Sequence, residues 1–195
     1  MRALVIGNGA SILGFDPEQY QSYYDISIGC NHAWQQWPTL DWYCMADERN
    51  VLYTREHGPE FWTRCVTRSQ YAVKHRLDDP QLDLYQSYPR HLDKRLLQAE
   101  GQWMKENRDI SGTLGIRWAR ELGAEIIDCV GFDSQSTNSW DKAYEDVPWQ
   151  KRSPVDGNRW RQSWEWAVTA VEPCRVNLIE KHQLLQQNIN TIQET

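Results

Sequence analysis

The sequence lacks any apolar run near the roughly 18 to 20 residues that a membrane-spanning helix needs. Its first residues lead into Gly7-Asn8-Gly9 instead of an extended secretory stretch. Cations are also few, with 21 Lys and Arg against 27 Asp and Glu and a net charge of −6. General nucleic-acid binding needs a positive field, so this charge disfavours it without excluding a local phosphate pocket. We expect a cytoplasmic protein with no membrane span and no general nucleic-acid binding.

The sequence also lacks a Cys-x-x-Cys pair. Its five cysteines are an odd number and lie far apart along the chain, which argues against a disulfide framework and a zinc knuckle. A zinc site built from Cys30, His32 and Cys44 would have no fourth ligand at a suitable spacing. We therefore expect buried, reduced thiols and no zinc site.

The 195 residues suit one domain over positions 1–195, and 11 Trp with 9 Tyr supply enough bulky apolar surface for a folded core. Short apolar runs alternate with helical spacing along this length, which predicts a three-layer α/β domain with a mostly parallel sheet. The runs are residues 3–6, 25–30, 41–45, 64–68, 125–130 and 174–178.

The clearest predicted helix begins at Ser111. Leu114, Trp118 and Leu122 fall four residues apart on one face, and Gly123 supplies a stop. Further helical stretches are predicted near residues 59–63, 160–171 and 184–192, and residues 77–101 show no sustained period. The polar stretch 134–158 is long enough for a loop or lid.

Ligands of open parallel sheets bind beyond the carboxyl ends of the strands, so the residues that follow each strand are the first site candidates. After the first strand, Gly7 and Gly9 would let the backbone approach a phosphate or ribose, with the side chain of Asn8 as a donor. Ala10 and Ser11 complete this loop. It is neither a Gly-x-Gly-x-x-Gly fingerprint nor a P-loop, and a plain tight turn is the alternative.

Asn31 follows the second strand and could donate its amide to a ligand or close an Asx turn. Ser111 and Gly112 open a helix whose free amides attract an anion, and Arg108 could share that anion. The alternative is a Ser cap beside a surface Arg. Two acids at strand ends, Asp47 and Asp133, could bind a ribose, hold a metal, act as a base or cap the next turn.

Five short blocks, taken in their order along the chain, resemble two related groups of proteins. The blocks are Val5 to Ser11, Cys30-Asn31, Ala46-Asp47, Ile110 to Gly112 and Val130 to Asp133. The two groups are the small bacterial sialyltransferases that act on lipo-oligosaccharide and the 6-hydroxymethylpterin diphosphokinase-like proteins. The resemblance implies a Rossmann-like nucleotide-binding domain. It implies that the cytidine monophosphate part of the donor is held by Asn8, Gly9, Asn31, Ser111 and Gly112, with Arg108 beside them; Gly7, Ala10, Ser11 and Gly131 complete our nucleotide-binding set.

The chain departs from the sialyltransferases after its Gly-x-Asp block, where Gln135 and Ser136-Thr137-Asn138 replace tyrosines that hold the leaving phosphate. No histidine lies between His91 and His182, where those enzymes place their base. We therefore take Arg108, Asp133 and Asp47 as candidate catalytic residues, with acids of the 141–156 loop as further candidates for the base.

The first hypothesis is a glycosyltransferase of the sialyltransferase-like type that binds a nucleotide or nucleotide-sugar and needs no cofactor. The alternatives are a diphosphokinase-like phosphoryl transferase, with Mg²⁺ on Asp47 and Asp133, and a non-catalytic nucleotide-binding module. A homo-oligomer is compatible with each of them.

Overall fold

A computed structural model of the chain describes residues 1–9, 12, 14–67, 110–132 and 157–179. Six strands form one sheet in the order β4-β3-β2-β1-β5-β6, and every neighbouring pair is parallel. This confirms the predicted parallel sheet. The strands are β1 (Arg2–Ile6), β2 (Ile26–Cys30), β3 (Trp42–Met45), β4 (Cys65–Thr67), β5 (Ile126–Val130) and β6 (Arg175–Ile179).

Both faces of the sheet are covered, because successive side chains of a strand point to opposite sides. Along β1, Leu4 and Ile6 belong to one apolar cluster, and Ala3 and Val5 belong to the other. The first face is covered by α1 (Ala33–Gln36), α2 (Glu48–His57) and 3₁₀ helices over Pro17–Tyr23 and Pro59–Arg64. The second is covered by α3 (Ser111–Glu121) and α4 (Gly157–Ala170). The domain is therefore a three-layer, Rossmann-like α/β structure.

Helix α3 confirms the predicted helix and lies directly on the sheet. A Cβ atom on Gly115 would lie 2.9 Å from Cγ1 of Val5 and 3.5 Å from Cγ2 of Ile28. The small residue therefore lets the helix backbone approach the strands closely. Leu122 caps the helix, and Gly123 follows with a φ of 96°, as expected for a glycine stop.

The chain changes direction across the sheet at β1. It builds β2, β3 and β4 outward on one side of β1, then returns to place β5 and β6 on the other side. The point where the strand order reverses is therefore the crevice at the carboxyl ends of β1 and β5. The loops Gly7 to Gly9 and Gly131 to Phe132 lie there.

Several boundaries differ from the sequence predictions. The predicted short helix at 59–63 is a 3₁₀ helix, the predicted fourth strand is the three-residue Cys65–Thr67, and α4 already begins at Gly157, within the predicted 134–158 loop. The rest of that loop, residues 77–101 and the stretch 184–192 lie outside the described residues. The 3₁₀ helix Pro17–Tyr23, α1 and α2 have no counterpart in the sequence prediction.

Every cysteine is a free thiol; four are buried and Cys174 is half-buried. Burial raises the pKa of Cys30 and of Cys65 to about 12, so both thiols stay protonated at neutral pH. No helix among the described residues has the length and apolar character to cross a membrane.

Candidate functional site

The loops that follow β1 and β5 touch through their backbones. The N–H of Gly7 donates to the carbonyl of Val130 at 2.8 Å, and the N–H of Gly9 donates to the carbonyl of Gly131 at 2.7 Å. A Cβ on Gly7 would lie 2.3 Å from that Gly131 oxygen, and Gly131 has a φ of 76°. Both positions therefore require glycine, because any side chain would separate the two loops. Asn8 lies half-buried in this joined turn.

A second set of contacts joins the ends of β2 and β3 to the beginnings of α2 and α3. The side-chain oxygen Oδ1 of Asn31 accepts hydrogen bonds from Nδ2 of Asn50 and from Oγ of Ser111, each at 2.6 Å. Oγ of Ser111 in turn accepts the backbone N–H of Ala46 at 2.9 Å. We call Asn31, Asn50, Ser111 and Ala46 the asparagine cluster. Asn31 and Ser111 are 80 residues apart in the sequence, so the fold alone brings these two candidates together.

Asn31 has a left-handed backbone, with a φ of 56°. Asn tolerates this conformation better than most residues. Its own N–H donates to the carbonyl of Cys44 at 2.9 Å, which ties the turn to β3. The buried side chain is thereby held over the carboxyl edge of the sheet rather than closing a local Asx turn.

Ser111 does not cap its own helix. The hydroxyl of Thr113 accepts the N–H of Ile110 at 3.2 Å and donates to the Ile110 carbonyl at 2.9 Å, so Thr113 closes the first turn of α3. The Ser111 hydroxyl is left to link Ala46 with Asn31. The alternative of a Ser cap is therefore wrong for Ser111, whose hydroxyl joins separate elements instead.

Gly112 lies beneath the ring of Phe132. A Cβ at position 112 would lie 2.5 Å from Cε1 of Phe132, so only glycine lets the ring rest on the first turn of α3. The other side of Phe132 meets Trp164 of α4, with ring centroids 5.4 Å apart. Phe132 is thus a wall of the candidate site that the sequence interpretation did not include, although it lies inside the block Val130 to Asp133. Trp164 is half-buried in the core, as its helical spacing suggested.

Asn50 was also not among the sequence candidates. It lies in the first turn of α2 and is 1% exposed. Its signal in the sequence is weak, because an Asn three residues after a helix N-cap is common and shows nothing about a partner 19 residues away. Asp47 is that N-cap residue: its side chain is exposed, and its carbonyl accepts the N–H of Asn50 at 3.0 Å.

The remaining candidates, Ala10, Ser11, Arg108 and Asp133, lie outside the described residues. All the candidates that the structure describes lie at the carboxyl edge of the sheet. They are Gly7, Asn8, Gly9, Asn31, Asp47, Ser111, Gly112 and Gly131. No group of three or more His, Cys, Asp or Glu within the described ranges could hold a metal ion.

His32 follows Asn31 and is fully buried. Its ring lies 4.7 Å from the ring of Tyr53 and 6.2 Å from that of Trp34. Burial lowers the pKa of His32 to about 4, opposed by a hydrogen bond to the backbone of Asn50 and reinforced by His57. The imidazole is therefore neutral at physiological pH.

A separate polar cluster lies away from this edge, on β1 and β5. The carboxylate of Asp128 is fully buried and accepts hydrogen bonds from the Arg2 guanidinium at 2.6 and 2.8 Å, from the Tyr24 hydroxyl at 2.8 Å and from Nδ2 of Asn177 at 2.7 Å. Burial, and then the charge of Asp128, raises the pKa of Tyr24 well above its usual value. The carboxylate of Asp128 on β5 therefore links Arg2 of β1, Asn177 of β6 and Tyr24, which follows the 3₁₀ helix Pro17–Tyr23.

The fold and the carboxyl-edge site define a Rossmann-like α/β domain. No protein-family model matches the chain, and no curated protein sequence matches it significantly. Solved structures similar to it include three of a sialyltransferase, CstII. A mutant of the alpha-2,3/8-sialyltransferase CstII is 10% identical, with 91% of this chain and 81% of that chain covered and a TM-score of 0.43.

Two further structures are each 12% identical, with 91% of this chain and 80% of that chain covered and TM-scores of 0.45. One is CstII in complex with a trisaccharide acceptor and CMP. The other is CstII from Campylobacter jejuni in complex with the substrate analogue CMP-3FNeuAc. The likeness is one of fold, and none of the three is a 6-hydroxymethylpterin diphosphokinase.

Proposed function

We propose that this chain is a transferase that binds a nucleotide or nucleotide-sugar at the carboxyl edge of its sheet, and that it is a glycosyltransferase of the sialyltransferase-like type. The observation that carries the proposal is the asparagine cluster. A buried Asn with its side-chain oxygen already hydrogen-bonded lies at the end of β2, beside the beginning of α3. Such an arrangement offers amide donors where open parallel sheets bind their ligands.

The glycine turn would supply the second half of the pocket. Gly7 and Gly9 are held against the loop after β5, so Asn8 has a defined place between them. The first turn of α3 adds the positive end of the helix dipole, which favours a phosphate. We assign Gly131 and Gly112 to the pocket as the positions where backbone replaces side chain, and we keep Ala10 and Ser11, which follow Gly9 in the sequence, as nucleotide-binding candidates.

Catalysis would rest on positioning and on stabilising the charge of the leaving phosphate. Arg108, three residues before Ser111, is our candidate for that charge, and Asp133 and Asp47 are our candidates for the base. A sialyltransferase-like reaction needs no metal in this scheme. A diphosphokinase-like reaction would instead need Mg²⁺ held by Asp47 and Asp133, so magnesium dependence separates the two.

A binding module without turnover is the second candidate. It is favoured by Gln135 and Ser136 where sialyltransferases have tyrosines, and by the absence of a histidine between His91 and His182. Release of CMP from CMP-sialic acid in the presence of a galactoside acceptor would distinguish it from an enzyme. A chain that binds the donor but releases no CMP is the binding module.

A thermal-shift panel tests the binding itself, with CMP, UMP, AMP, GMP and CMP-sialic acid, each with and without magnesium. A ligand at about 100 times its dissociation constant stabilises the folded state by roughly 2.7 kcal/mol. Calorimetry on Asn8→Ala and Asn31→Ala should then show weaker binding of the best ligand, by about 0.5 to 1.5 kcal/mol per lost neutral hydrogen bond.

The matched control is Asn177→Ala, which removes a hydrogen bond to Asp128 within the sheet and away from its carboxyl edge. Its affinity should equal that of the wild type. Unchanged affinity in both Asn8→Ala and Asn31→Ala would show that the nucleotide does not bind at this edge of the sheet. If no ligand of the panel raised the melting temperature, nucleotide binding would be refuted.

A further inference from the structure

We infer that Asn50 is a positioning residue for the proposed nucleotide site: with Ser111, it holds the side-chain oxygen of Asn31 so that only the NH₂ donors of this amide face the ligand. The inference rests on the proposed function. It adds the chemical class of the group that Asn31 binds, which is an acceptor without a hydrogen to donate, such as a phosphate oxygen or the carbonyl of a pyrimidine ring.

The orientation follows from what the two partners donate. A side-chain amide has one acceptor oxygen and one NH₂ group with two donors. Asn50 presents its own NH₂ group to Oδ1 of Asn31 at 2.6 Å. If the Asn31 amide turned over, two NH₂ groups would face each other in a buried environment, and their hydrogen bond would be lost. The oxygen of Asn31 therefore stays toward Asn50, and its NH₂ group points away from it.

Ser111 strengthens this arrangement. The N–H of Ala46 donates to Oγ of Ser111, so the hydroxyl hydrogen is left to donate to Oδ1 of Asn31. Hydrogen bonds in such a chain polarise one another. Two donors on the Asn31 oxygen draw electron density toward it, which makes the NH₂ group of the same amide a better donor.

Asn50 is itself held in place. It is 1% exposed, and its backbone N–H donates to the carbonyl of Asp47 in the first turn of α2. Its side chain reaches Asn31 from α2, whereas Ser111 reaches it from α3. Because the two supports come from elements on opposite faces of the sheet, the orientation of the Asn31 amide depends on both layers.

Asn31→Asp is the sharpest variant, because Asp keeps the shape and still accepts from Asn50 and Ser111. Asp also tolerates the left-handed backbone at this position. The variant loses both NH₂ donors and gains a negative charge. Asn31 is 5% exposed, so this charge is buried and is offset only by the hydrogen bonds from Asn50 and Ser111. In the absence of ligand we expect a melting temperature below that of the wild type but above that of Asn31→Ala, which leaves both donors without an acceptor. We also expect at least about a tenfold loss of affinity for the tightest binder among CMP, UMP, AMP and GMP.

Asn50→Asp and Asn50→Ala test the positioning role. Asp at position 50 would set a carboxylate oxygen against the oxygen of Asn31, so the amide should turn and affinity should fall by about tenfold; Ala should weaken binding by about three- to tenfold. The matched control is Thr54→Val on the same helix. It removes a buried hydrogen-bond acceptor of Trp34 without touching Asn31, so it should lower stability and leave affinity within about twofold of the wild type.

Each contrary result has a distinct meaning. If Asn50→Ala and Asn50→Asp bind as Thr54→Val does, Asn50 is structural only. If Asn31→Asp binds as tightly as the wild type, the NH₂ group contacts no ligand, and if Asn31→Asp melts below Asn31→Ala, the side-chain oxygen at position 31 is not the acceptor. If the wild type binds none of the four nucleotides, the proposed function fails and the ligand class with it, and the stability of Asn31→Asp alone then decides whether the amide is oriented as described.

Discussion

A Cβ atom on Gly7 would lie 2.3 Å from the carbonyl oxygen of Gly131, so the loops after β1 and β5 meet through backbone atoms alone. The contact lies where the strand order reverses. Ligands of open parallel sheets bind at this position, and Asn8 lies between the two glycines whose N–H groups join the loops.

Gly7→Ala should therefore destabilise the protein by about 2 kcal/mol, because a backbone carbonyl cannot shift as a side chain can. Urea unfolding midpoints measure the loss. Gly115→Ala is the comparison: its new methyl would meet the end of Val5 at 2.9 Å, and Ala favours a helix over Gly by about 1 kcal/mol. We expect Gly115→Ala to stay within about 1 kcal/mol of the wild type; equal midpoints for the two variants would show that the loop contact is not tight.

Asp128→Asn should cost about 3 kcal/mol of stability. The change leaves the Arg2 guanidinium, whose side chain is 12% exposed, without a counter-charge in a buried position. Asp25→Asn is the control, because Asp25 is exposed and, within the described part of the chain, its carboxylate accepts just the backbone N–H of Arg2. Denaturant unfolding of both variants checks this, and a similar small loss in each would mean that the buried ion pair adds little.

The free energy of unfolding should fall as the pH is lowered from about 6.5 to 4, partly because of His32. Its pKa is about 4 in the folded protein, against an ordinary value of about 6.5, so the unfolded chain binds more protons in this window. Below pH 4, this difference in the pKa of His32 lowers the free energy of unfolding by about 3 kcal/mol relative to neutral pH.

His32→Gln removes this titration and should give a shallower dependence of stability on pH in the same window, measured by urea unfolding at a series of pH values. Carboxylates titrate alike in both proteins, so the difference between the two curves isolates His32. Parallel curves would contradict the burial of a neutral imidazole.

Arg108→Ala should lose more affinity for a nucleotide than for the matching nucleoside, because its guanidinium would share the phosphate with the first amides of α3. Arg108→Lys should recover only part of the loss, since a point charge does not reproduce the two-pronged contact. Calorimetry at low and moderate salt measures both ligands. Arg120→Ala, at the other end of α3, should change neither affinity, and equal losses for both ligands in Arg108→Ala would make Arg108 structural.

The sequence was sufficient to predict features that depend on near neighbours in the chain. The four-residue spacing of Leu114, Trp118 and Leu122 predicted α3, and apolar runs ending at Gly7, Asn31 and Gly131 predicted buried parallel strands with their ends at one edge. The 3₁₀ helix Pro17–Tyr23 and α2 were missed, because neither has a clear apolar period and both are held by packing against the sheet.

Tertiary structure alone decided what these residues do for one another. Sequence spacing placed Asn31 and Ser111 each at the end or start of an element, but it could not show that they share a hydrogen bond across 80 residues, or that Asn50 completes the contact. It likewise could not show which side chain packs against Gly112, whereas in the fold the ring of Phe132 occupies the space that a side chain would need. Local patterns report the hydrophobic period and the turn chemistry of one segment, while the partners of a buried polar group depend on which segments the folded sheet brings side by side.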